Sequence, residues 1–109
     1  MGEPILFHEV KMAIQVSKEG ERITVHLPKM FGFSVRADFK QATGNNPPET
    51  KYTLDFQEVE RMDSSALGML LLLRETSGGG ASDIMIVNSR PEIRKLLHLA
   101  NFHTLFNIL

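Results

Sequence analysis

Met62-Asp63-Ser64-Ser65-Ala66-Leu67-Gly68 sets two hydroxyls and a carboxylate where an extended stretch gives way to an apolar run, Met69 followed by Leu70 to Leu73. The start of a helix has N–H groups without intrahelical partners and the positive end of the dipole, so anionic groups are stabilised there. A serine in that position can carry a phosphate without unfolding its own helix. Asp63 reads as the N-cap, its carboxylate accepting from first-turn N–H groups, and Ser65 then lies in that turn. A serine near a helix start is most often just a cap, so the pair has to be weighed with its surroundings. Catalytic readings find less support. A nucleophilic serine needs a base, but His8, His26, His98 and His103 are scattered, and there is no Gly-x-Ser-x-Gly elbow. No histidine pair has metal-ligand spacing, and no glycine-rich phosphate loop carries a lysine. The sequence points to neither an enzyme nor a bound metal or cofactor.

Composition narrows the class further. A chain of 109 residues suits one domain, whose core buries somewhat over 60%, roughly, of the unfolded surface. Twelve basic and thirteen acidic side chains nearly cancel, which argues against nucleic-acid binding through phosphate neutralisation. The absence of cysteine excludes disulfides and thiolate chemistry and fits a reducing compartment. No segment approaches the ~20 apolar residues of a membrane span. Neither a secretory signal nor a myristoylation signal is visible, since Leu6 stands where the latter wants Ser or Thr. The expectation is a cytoplasmic protein without membrane insertion.

The elements that must hold the Asp-Ser-Ser run can be read from periodicity. Residues 1–11 read as an N-terminal extension or leader, with Ile5-Leu6-Phe7 open to a strand reading, and 12–109 as the domain. Ile14-Gln15-Val16 and Ile23 to Leu27 alternate apolar and polar around Lys18-Glu19-Gly20-Glu21, a hairpin pattern. A loop through Pro28 and Gly32 leads to a helix from about Ser34 to Ala42, broken by Gly44-Asn45-Asn46-Pro47-Pro48. Tyr52 to Phe56 forms the next strand, with Asp55 satisfying the turn at its end. A helix from Ser64 to Thr76 stops at Gly78-Gly79-Gly80. Ile84 to Val87 has the continuous apolar character of a strand covered on both faces. Pro91 opens a helix with the stripe Ile93, Leu96, Leu97 and Ala100, and Phe102, Leu105 and Phe106 close the core. The expected fold class is α/β, a small mixed sheet with helices packed mainly on one face.

At roughly 3.6 residues per turn, Ser65, Met69, Leu72 and Thr76 share one side of the central helix, and Leu67, Leu70, Leu71 and Arg74 the other. Both sides are apolar, which leaves two readings. One buries both sides, or buries one and leaves ordinary scattered surface residues. The other puts Leu67, Leu70 and Leu71 in the core and leaves Met69 and Leu72 beside Ser65 for a partner, a use to which methionine is suited.

Leu54-Asp55-Phe56, the run Met62 to Leu71, the glycines at 78–80 and Ser89-Arg90-Pro91-Glu92-Ile93-Arg94-Lys95-Leu96-Leu97 together resemble a STAS domain of the bacterial anti-sigma factor antagonist type. The match is good over 50–109 and weaker over 14–44. The resemblance implies that Ser65, the second serine, is phosphorylated by a partner kinase that also acts as an anti-sigma factor, with Ser64 the less favoured site. A PP2C-type phosphatase would reverse it. Asp63 and Ala66 would support the phosphosite. Lys29, Met30, Phe31, Gly32, Ser34, Ser64, Met69 and Leu72 would meet the partner. Ala66 stands where the family usually has glycine, and Pro28-Lys29-Met30-Phe31-Gly32 lacks the acid usual in that loop. The competing reading within the same resemblance is a STAS subunit of an ABC-type lipid transporter, docking on its ATPase.

Overall fold

The computed structural model describes residues 13–109; the extension at 1–11, with its strand reading and His8, lies outside the described residues. Two strands, β1 (Gln15–Glu19) and β2 (Arg22–His26), pair antiparallel with Glu19 opposite Arg22. The two-residue connection works because Gly20 takes φ +61°, a left-handed conformation suited to a tight hairpin. Beyond it the sheet is parallel: β2 against β4 (Lys51–Asp55), β4 against β6 (Ile84–Val87), and β6 against β7 (Asn107–Ile108), in the order β1-β2-β4-β6-β7. Parallel neighbours need crossovers. These are supplied by α1 (Arg36–Thr43), α2 (Ser64–Thr76) and α3 (Pro91–Leu99). Pro91 occupies the first turn of α3, where its missing N–H costs no helical bond. Gly78, at φ +113°, turns the chain away from α2.

The core lies on one side of this sheet. Ile23 and Val25, Tyr52 and Leu54, and Ile84 and Ile86 point inward and are buried with Phe39 of α1, Ala66, Met69, Leu70 and Leu73 of α2, and Ile93 and Leu97 of α3. The small mixed sheet with its helices on one face is the architecture that the sequence predicts. The strand at 84–87 differs from expectation: Met85 and Val87 are half-buried, because they share the outer face with Thr53, Asp55 and Asn107, which no described helix covers. Two further strands form a separate parallel pair, β3 (Met30–Phe31) and β5 (Arg61–Met62). β5 lies just before the Asp-Ser-Ser run, and β3 lies within the loop that was expected to share in function.

Candidate functional site: the start of the central helix and the loop beside it

The β3–β5 ladder brings together what the sequence keeps thirty residues apart. Met30 sits opposite Arg61 and Phe31 opposite Met62. The Lys29 carbonyl accepts from the N–H groups of Glu60 and Arg61 at 2.7 and 3.0 Å. Asp63 continues the connection. As the N-cap of α2, with extended backbone (φ −113°, ψ 179°), it accepts the Ala66 N–H on Oδ1 at 3.1 Å. Its other oxygen, Oδ2, accepts the Phe33 N–H at 3.1 Å. One carboxylate thus caps the helix and fastens the loop to it. Gly32 is required by this contact: its backbone is extended and unstrained, but a Cβ there would collide with the Asp63 carboxylate.

Ser64 and Ser65 are the first two residues of α2. Ser64 is exposed and Ser65 half-buried. Asp63 occupies the Ala66 N–H, which leaves the N–H groups of Ser64 and Ser65 as first-turn donors without a helical partner. Ala66 is completely buried, so the methyl that replaces the family's glycine packs inward rather than obstructing the serines. Lys29, Met30 and Ser34 are exposed alongside, and Gly32 is buried under Asp63.

Two expected contact residues lie elsewhere. Phe31 is fully buried, packed against Phe39 and Phe56 at ring-centroid distances of 5.4 and 5.9 Å. Met69 is only 8% exposed. The phase of the helix is corrected accordingly. Its buried side is Ala66, Met69, Leu70 and Leu73; Leu71, expected in the core, is exposed, and Leu72 is 60% exposed as expected. The outward stripe therefore runs Ser64, Gly68, Leu71, Leu72 and Glu75, with Ser65 on the flank facing α1. Sequence reasoning missed Phe33, which is 65% exposed and held beside the cap by its own N–H. An aromatic side chain directly after a glycine in a loop was the available signal.

At the far end of β4, Asp55 accepts from the Gln57 N–H at 3.0 Å and from Asn88 Nδ2 at 3.1 Å, and lies 3.1 Å from His26 Nδ1. It satisfies the turn after its strand, as read from sequence. Burial pushes its carboxyl up, but the bonds from Asn88, Gln57 and His26 outweigh that and hold it below its ordinary value. Among the described residues, no group of three His, Asp or Glu side chains is placed to hold a metal ion. No helix among them is long and apolar enough to cross a membrane.

A family model described as "Mlab, STAS domain" matches residues 14–109. The chain belongs to the STAS-domain family. A STAS-domain containing protein of Pseudomonas aeruginosa (strain UCBPP-PA14) is 39% identical over 93 residues, 84% of this chain and 92% of that one. Among solved structures, this STAS domain is similar to a Thermotoga maritima protein described as an anti-sigma factor antagonist, with a TM-score of 0.74, 16% identity and coverage of 87% and 84% of the two chains. It is also similar to the anti-sigma factor antagonist SpoIIAA in its unphosphorylated form, with a TM-score of 0.63, 20% identity and coverage of 89% and 87%. The phosphorylated form of SpoIIAA from Bacillus gives 0.62 at 19% identity, with coverage of 89% and 91%. At such identities these structural likenesses establish the fold.

Proposed function

We propose that this STAS domain is an anti-sigma factor antagonist switched by phosphorylation of Ser65. Unphosphorylated, it binds an anti-sigma factor that is also a serine kinase; phosphorylated, it lets go, and a PP2C-type phosphatase resets it. The observation that carries the reading is the Asp63 clamp, which holds the Lys29–Ser34 loop against the start of α2 beside the two serines, while Leu72 is exposed further along the same helix. The contact set is Lys29, Met30, Phe33, Ser34, Ser64, Leu71 and Leu72, with Phe31, Gly32 and Met69 supporting it from beneath.

Phosphate at Ser65 adds about −1.5 to −2 charges beside that surface. The helix N-terminus stabilises the anion, so the domain stays folded, whereas a partner that must bury the same spot loses on the order of 10²-fold in affinity. The domain shares the fold of SpoIIAA, which has been solved in both its unphosphorylated and its phosphorylated forms. The reading is tested by incubating the domain with the cognate kinase, ATP and Mg²⁺ and mapping phosphopeptides. Phosphate is expected on Ser65 and lost in Ser65→Ala. Undiminished labelling of Ser65→Ala sinks the assignment. Binding to a transport ATPase, with no phosphate on either serine, would instead favour the transporter-subunit reading.

A further inference from the structure

Between α1 and α2 lies a cleft of about 280 Å³. Its floor is apolar, formed by the buried Phe39 and Met69, and the exposed Leu72 makes its lip. The α1 side carries Arg36 and Lys40, both exposed, and none of the described side chains lining the cleft is acidic. Tyr52 closes the inner end. Its hydroxyl donates to the Thr43 carbonyl at 3.2 Å and accepts from Asn46 Nδ2 at 2.9 Å. The polar groups at the inner end are thus satisfied by the protein itself, and the two exposed cations, which form no ion pair with another described residue, stand at the rim. A concave apolar site with a few polar groups converging on it is the usual form of a small-molecule site.

We propose that this cleft binds a small anionic amphiphile, with a carboxylate or phosphate head between Arg36 and Lys40 and an apolar tail against Phe39, Met69 and Leu72. Charge decides the class: a neutral or cationic molecule of the same shape fits the floor but gains nothing from, or is repelled by, the two cations. The cleft opens on the flank of α2 that holds Ser65, one turn before Met69, so an occupant covers the lip at Leu72.

Tyr52 is the sole tyrosine and the chain has no tryptophan, so intrinsic emission reports on this cleft alone. The intact domain is titrated with octanoate and with octyl phosphate below micelle formation, with octylammonium and octanol as controls. Saturable quenching or enhancement by either anion is expected, and the ratio of the two names the preferred head group. Octylammonium should bind at least tenfold more weakly. Arg36→Gln and Lys40→Gln should each weaken anion binding about threefold, and about tenfold together, while octanol is unaffected. Thermal melting of the double variant checks that these exposed changes leave the fold intact. Absence of a saturable response to both anions overturns the proposal. So does octylammonium binding as well as octanoate, or a folded double variant that binds the anions unchanged.

Discussion

Asp63 joins two backbone segments through one side chain, and its loss is therefore expected to cost more than an ordinary cap. Removing an N-cap alone costs about 1 kcal/mol; here the Phe33 N–H loses its acceptor as well. Gly32→Ala should be comparably harmful, because the new methyl displaces the Asp63 carboxylate. The two changes should not add. In an Asp63→Ala background the collision is gone, so a double-mutant cycle by denaturant melting should show a coupling of about 1 kcal/mol or more. Additive costs would mean that Gly32 is there for another reason. Ser65→Glu belongs to the same scale. A negative charge in the first turn is stabilised, so the melting midpoint should move by less than about 5 °C, roughly 1 kcal/mol for a domain this size. Binding of the proposed anti-sigma partner should fall at least tenfold, as calorimetry can establish; a large drop in midpoint would instead indicate misfolding.

For whole elements, legibility in the sequence followed length and pattern. The bounds of α2, Ser64–Thr76, and the start of α3 at Pro91 were readable because caps, a proline and glycines mark them. β3, β5 and β7 were not, since two residues carry no alternation. The face of α2 was misread for a related reason. Leu70 to Leu73 is apolar all round, so the run has no phase of its own. Its phase is set by α1, which packs along the flank holding Met69. A melting series separates the two sides. Met69→Asp buries an unpaired carboxylate and should cost about 3 kcal/mol or more, lowering the midpoint by roughly 15 °C. Leu72→Asp should stay within about 5 °C of the parent and lose partner binding. Equal midpoints for the two would return Met69 to the surface.

In the molecule as a whole, the outer face of the sheet bears polar groups that tie strands together, and Asp55 is chief among them. Its carboxyl is held below its ordinary value near 3.8. A depressed acid binds fewer protons in the folded state than in the unfolded one. Its contribution is therefore complete above that ordinary value and disappears as pH falls through the folded one. Asp55→Ala should cost about 1 kcal/mol at pH 7, and the gap from the parent should close as the pH is lowered below 4, as measured by urea midpoints. A gap that persists at pH 3 would assign the loss to packing rather than to charge. The mixed sheet and its single covered face followed from the succession of hairpin, helices and apolar strands; the order of the strands was not read. The joining of the Lys29 loop to the serines did not, because it rests on a two-residue ladder and on one carboxylate reaching across the chain. That join bears on specificity under the proposed function. With loop and helix start fastened together by Asp63, a cell holding several such domains would tell their partners apart chiefly by the side chains that project there, Met30, Phe33, Leu71 and Leu72. Such specificity could diverge by point substitution while the Asp63 join stays unchanged.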